Sequence, residues 1–194
     1  MTDQDSELRV EPIRSLEAIH AIKTLLAKSP RDLLLFTLGI NNGVRAGDLL
    51  RITVNDVRNA RPGEYLWIRE KHGGGQIPLV VPWGPHLVLR LHLEQLDPPR
   101  APANMYLFAT EPGWTPLKTG ELDRMVCLWT ETIGLQGTFG AHTLRKTFGY
   151  QQRLRYGVGL DTLATRFGHD SPAVTARYLG LENGPPQAPE LPEL

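Results

Sequence analysis

Apolar residues recur along this chain with two different periods, and the change of period divides it into elements. Leu16, Ile19, Ile22, Leu25 and Leu26 fall at helical spacing behind Ser15, which is placed as an N-cap, so a first helix is expected to about Lys28. Ser29-Pro30 restarts the chain as a second helix. Residues 33–40 of this helix are apolar nearly all round, which puts it in the middle of the domain. It stops at Asn41-Asn42-Gly43. Residues 64–70 (EYLWIRE) and 76–82 (QIPLVVP) instead read as two strands. Between them, Lys71-His72-Gly73-Gly74-Gly75 forms a hairpin turn with a flexible tip. Helical spacing returns from Pro85 to about Leu96, with Leu87, Leu91 and Val88 inward and His86 and His92 at the surface. A Pro-rich loop follows at 97–103.

Met105 to Phe108 is a short apolar segment. The 116–133 run, with Leu122, Met125, Val126 and Trp129 in one stripe, is a further core-facing helix. Another helix opens at His142. The last begins after FGHDSP, with Ser171 as N-cap and Pro172 at its first position, and Tyr178 near its end. The fold class expected is mainly α with one small antiparallel sheet. Residues 1–11 and 181–194 lack periodicity and are acidic, the second also Pro-rich, so both read as disordered tails around one domain at 12–180.

Composition narrows the class. At 41% hydrophobic and 22% charged, 194 residues suit one well-cored globular domain. No apolar run approaches the roughly 20 residues that cross a bilayer, and the acidic start is unlike a leader, so a cytoplasmic protein without membrane contact is expected. Cys127, the single cysteine, lies in MVCLW and reads as core, which excludes an intrachain disulfide and a thiolate zinc site. Net charge is zero, yet the acids concentrate at the ends. Asp3, Asp5, Glu7 and Glu11 oppose Arg9 at one end, and Glu182, Glu190 and Glu193 lie at the other, leaving 12–180 at +6. A basic face toward nucleic acid is consistent with this.

The candidate chemistry gathers in residues 141–180. His142 and Arg145 lie one helical turn apart and project the same way. His169 falls in the tight turn entering the last helix. The two acids of the stretch, Asp161 and Asp170, cannot build a metal cage, so six basic residues with two histidines call for a polyoxygen anion, best a phosphodiester. Taken singly, an HxxR pair can be a solvated face, Arg45 a helix-start arginine and Lys71 a turn lysine.

Together, HTLR, FGH and a tyrosine nine residues after that histidine resemble the C-terminal half of the tyrosine recombinase (phage integrase) catalytic domain. NNGVRAGDLL resembles the family's first box, with Arg45 at its arginine and Asp48 where the family usually has Glu. Lys71, ahead of Ile77-Pro78-Leu79, stands at the family's hairpin lysine, although the triple glycine departs from its more basic tip. The resemblance implies the tyrosine recombinase catalytic fold and a catalytic set of Arg45, Lys71, His142, Arg145, His169 and Tyr178, with Asp48 holding Arg45. In it the two arginines clamp the phosphate and Tyr178 attacks it. His142 stands on the nucleophile side, His169 bonds the phosphate and Lys71 protonates the leaving 5′ oxygen, with no cofactor, ATP or metal.

The implied partners are double-stranded DNA and further copies of the chain assembled on it. The family's N-terminal clamp domain would not fit into 11 residues, so the chain reads as a catalytic domain alone, with an accessory DNA-binding protein as one source of the clamp. Two other readings stay open: a non-catalytic DNA-binding relic of the fold, and a type IB topoisomerase-like relaxing enzyme.

Overall fold

The computed structural model describes residues 10–71, 73–96, 104–110 and 115–182. The expectations for 1–9, 97–103, 183–194 and His72 lie outside them. Helix α1 (Leu16–Leu25) begins as expected at Ser15, whose Oγ accepts from Ala18 N at 3.0 Å. Helix α2 (Pro30–Asn42) starts on Pro30 and is the central element, with Leu34, Leu35, Phe36 and Leu38 wholly buried. It ends at Gly43 in the left-handed region (φ 61°), where a Cβ would collide with the Phe148 ring. The chain therefore turns sharply there, and two short helices follow, α3 (Ala46–Leu49) and α4 (Val54–Val57).

Strands β1 (Tyr65–Arg69) and β2 (Gln76–Val80) pair antiparallel, from Tyr65 opposite Val80 to Arg69 opposite Gln76. Leu66, Ile68, Ile77 and Leu79 share the inward face, and Ile68 and Leu79 are fully covered. Helices α5 (Trp83–Gln95), α6 (Thr119–Thr132) and α7 (Ala141–Tyr156) complete the main core, α5 and α7 packing on α2 and α6 on α7. Helices α8 (Leu160–Phe167) and α9 (Pro172–Leu179) build a second, smaller core from Leu163, Phe167, Tyr178 and Leu179.

Four expectations change. Leu87 and Leu91 are 63% and 54% exposed, whereas Leu89, His92 and Leu93 are buried. Residues 87–93 alternate apolar positions so densely that two helical faces were equally available. Burial of His92 is compensated at one ring nitrogen, its Nε2 lying 2.7 Å from Leu107 O, and its ring stacks on Phe108. Met125 and Cys127 are only half-buried, Cys127 donating from Sγ to Phe139 O at 3.0 Å. Residues 10 and 11 belong to the folded body, since Glu11 N donates to Thr138 O at 2.7 Å and Val10 O accepts from Lys146 Nζ at 2.9 Å. Residues 160–167, where no element is expected above, form α8 because Leu160, Leu163, Ala164 and Phe167 fall on one helical face.

Burial pushes the His92 imidazole below its ordinary value, against the raising effect of its bond to Leu107. A depressed folded-state value means that the unfolded chain binds the extra proton first. Stability should thus be full above about pH 6.5 and fall as pH drops below it. Urea midpoints at about pH 7.5 and about pH 5.5 are expected to separate more in the wild type than in His92→Gln. Equal separation would contradict this role.

Candidate active site

Arg145 sits in the second turn of α7 and is 6% exposed. Its Nη1 donates to Gly43 O at 2.6 Å and its Nη2 to Phe167 O at 2.7 Å, with the guanidinium carbon 4.5 Å from the centre of the Phe167 ring. These contacts join the end of α2, the end of α8 and the middle of the molecule. They also hold the guanidinium at the wall of a cleft shared with Arg45, Asp48, Arg166 and Gly168. Arg45 enters this cleft from the turn before α3, beside Gly168, where an added Cβ would lie 3.7 Å from Arg45 Nη2. Two arginines distant in sequence thus line one polar concavity, an arrangement that suits an anion with several oxygens.

The carboxylate assigned to Arg45 is corrected. Asp48 is buried and its Oδ1 accepts from Lys71 N at 2.7 Å, while Arg45 Nη1 pairs with Glu70 Oε1 at 3.0 Å. Asp48 is shorter than the glutamate of the family pattern, and its oxygen meets the hairpin backbone. Glu70, at the end of β1, reaches the guanidinium. This pair is half exposed on the arginine side, which makes it an exchangeable contact of small energy. Lys71 itself is exposed, and its stem lies over Gly47, where a Cβ would meet Lys71 Cδ at 3.2 Å and Nζ at 3.8 Å. The hairpin lysine is therefore delivered to the helix that follows Arg45.

His169 follows the left-handed Gly168 and sits between α8 and α9. Its Nδ1 is 2.9 Å from Thr175 Oγ1, and its ring meets the Tyr178 ring edge-on at a centroid distance of 5.0 Å. Tyr178 is 4% exposed, also packed against Phe167 at 5.7 Å and under the Lys146 ammonium at 4.7 Å. It is not among the residues lining the Arg45–Arg145 cleft. His142 lies half-buried in the first turn of α7, one turn before Arg145. The structure gathers Arg45, Asp48 and Arg145 around the cleft, ties Lys71 to its edge only through the backbone bond to Asp48, and pairs His169 with Tyr178 beside it. Glu70, Lys146, Arg166 and Thr175 were not foreseen; the one signal available for Glu70 was its place next to Lys71 at the hairpin mouth.

The α8–α9 unit docks on α7 at Gly149, where a Cβ would come within 2.7 Å of Phe167 Cζ and 2.9 Å of Leu179 Cδ2. Gly149→Ala is expected to overpack this contact and lower stability by about 1–3 kcal/mol, read as a lower urea midpoint. An unchanged midpoint would show that the docking surface is loose.

The architecture is that of tyrosine recombinase catalytic domains. The crystal structure of XerA recombinase superposes with a TM-score of 0.72 at 22% identity, over 89% of this chain and 62% of that one. XerH site-specific recombinase bound to palindromic difH substrate, in a post-cleavage complex, gives 0.69 at 19% over 88% of this chain and 48% of its own. A lambda integrase dimer bound to a COC′ core site gives 0.62 at 19% over 88% and 48%. The chain thus spans about half to three-fifths of these solved proteins. In sequence, residues 11–183 match the model described as the Phage integrase family. "Probable integrase/recombinase YoeC" of Bacillus subtilis (strain 168) is 32% identical over 176 residues, 89% of this chain and 91% of that protein. The chain belongs to the phage integrase family.

Proposed function

We propose that this chain is a site-specific DNA recombinase that cuts and rejoins duplex DNA through a 3′-phosphotyrosyl intermediate. The observation that carries the reading is the convergence of Arg45 and Arg145 on one cleft, with Lys71 brought alongside through Asp48 and Gly47. A phosphodiester moving to a pentacoordinate state gains charge on its non-bridging oxygens, and two guanidinium groups stabilise that charge. Tyr178 Oη forms a bond to phosphorus as the bond from phosphorus to O5′ breaks. The phenol proton leaves to a base on the nucleophile side, for which His142 is our candidate. Lys71 gives a proton to the departing O5′, and His169 bonds a phosphate oxygen. Reversal by the 5′ hydroxyl of another strand reseals the DNA with no external energy.

Because Tyr178 is packed in the second core, the attack requires α9 to shift. That helix has eight residues, bounded by the His169 turn and by Gly180 at φ 67°. The DNA named in the XerH and lambda integrase complexes, and the lambda integrase tetramer on a Holliday junction, support a duplex partner and several copies acting together.

The test is covalent capture from a pool of nicked duplexes of randomised sequence, in the presence of a chelator. The chain is expected to become linked to a 3′ phosphate and then to exchange partners between captured sites. Binding without linkage would favour a non-catalytic DNA-binding protein. Linkage with relaxation of supercoils and no exchanged products would favour a topoisomerase-like activity.

A further inference from the structure

A two-stranded sheet covers only one edge of each strand, so the outer edge of β2 needs partners from elsewhere. At Val80 the Asn42 side chain supplies both: Val80 N donates to Asn42 Oδ1 at 2.6 Å and Asn42 Nδ2 donates to Val80 O at 2.9 Å. At Pro78 there is no N–H to satisfy, and its carbonyl accepts from Arg166 Nη2 at 2.9 Å. The same guanidinium donates through Nη2 at 2.6 Å and Nε at 3.2 Å to Asn42 O, a terminal carbonyl of α2. A cation there also meets the negative end of the helix dipole. One half-buried side chain of α8 thus ties the end of the helix before Arg45 to the strand after Lys71.

We propose that Arg166 and Asn42 are positioning residues that fix the hairpin, and through it Lys71, against the Arg45 turn. This rests on the reading above in which Lys71 protonates the leaving 5′ oxygen. The hairpin is held at two places: near its tip by Lys71 N on Asp48 Oδ1, and along β2 by the Asn42–Arg166 pair. With a rise of about 3.3 Å per residue, a loosened grip at 78–80 acts on the turn, which ends at residue 75, through a lever of about 10–17 Å. Lysine at 166 would present a point charge in place of the planar fork that reaches two carbonyls at once.

The decisive comparison uses two versions of a captured nicked duplex, one with the natural 5′ oxygen at the scissile bond and one with a bridging 5′ sulfur. In the first, the bond from phosphorus to oxygen breaks and the oxygen takes a proton from the acid. In the second, the bond from phosphorus to sulfur breaks and the thiolate leaves without one, thiols being far more acidic than alcohols (pKa about 8.5). Single-turnover attachment by Lys71→Ala should fall on the order of 10²- to 10⁴-fold on oxygen and recover on sulfur. Arg166→Met and Asn42→Ala should fall about 10- to 100-fold on oxygen and also recover on sulfur, with Arg166→Lys between them and the wild type.

Equal loss on both substrates, or wild-type rates on oxygen, would overturn the proposal. If all three replacements at 166 and 42 unfold the chain, the pair is purely structural and the proposal is again overturned. No attachment by the wild type, or no sulfur rescue of Lys71→Ala, would instead strike at the underlying reading of the reaction.

Discussion

Tyr178→Phe is expected to bind duplex DNA as the wild type does and to form no covalent adduct at all. The replacement removes one oxygen from a ring whose packing does the structural work. The contacts to Phe167 at 5.7 Å, to His169 at 5.0 Å and to the Lys146 ammonium at 4.7 Å all belong to the ring, not the hydroxyl. Phenylalanine keeps these ring contacts, and a hydroxyl contributes about one hydrogen bond, so stability should fall by about 1 kcal/mol. Binding should persist because it comes from lysine and arginine contacts with phosphates, and both proteins should lose it in parallel as salt is raised. Heating the DNA complexes in detergent separates the two activities: a slowly migrating protein–DNA species should appear with the wild type only. Loss of binding together with linkage would mean that the ring change had disturbed the cleft.

Arg145→Lys should have two separable effects. The guanidinium holds Gly43 O and Phe167 O together and stacks on the Phe167 ring, and a lysine ammonium reaches one such carbonyl at best. Loss of a charge-assisted bond in a buried site is expected to lower unfolding stability by about 2 kcal/mol. At a temperature where the variant is still folded, the rate of covalent attachment should fall a further 10²- to 10³-fold or so, as when one oxyanion-type donor is removed. Arg45→Lys should share the second effect and largely escape the first, since its exposed pair with Glu70 contributes little to the fold. Attachment at wild-type rates by both variants would remove the phosphate clamp from the mechanism.

Local features were readable from the chain. Ser15 and Ser171 cap their helices through Ala18 N and Val174 N, Pro30 and Pro172 open theirs, and the glycine-rich spacer at 71–75 joins two paired strands. Arg145 one turn after His142 could be placed for the same reason, because adjacent turns carry their own geometry.

Contacts between distant segments left no such trace. The acceptors of Arg145 and Arg166 are backbone carbonyls, which have no residue signature, and they lie as far as 102 and 124 residues away. Arg166 in the last turn of an amphipathic helix looks like a solvent-facing residue. It is half-buried because β2 and the end of α2 close over it. The exchange of Glu70 for Asp48 at Arg45 depends on a few ångströms of reach. His92 depends on which of two apolar faces the core selects.

The residue left on the DNA after covalent capture decides the central claim. Digestion of the linked complex with nuclease and protease, followed by mass mapping, should place the nucleotide on Tyr178 alone. Two other tyrosines on α7 are the rivals: Tyr150 is buried under the Arg14 guanidinium and Tyr156 is 69% exposed at the helix end. A nucleotide on Tyr150 or Tyr156, or an adduct that survives in Tyr178→Phe, would contradict the assignment of Tyr178 as the nucleophile.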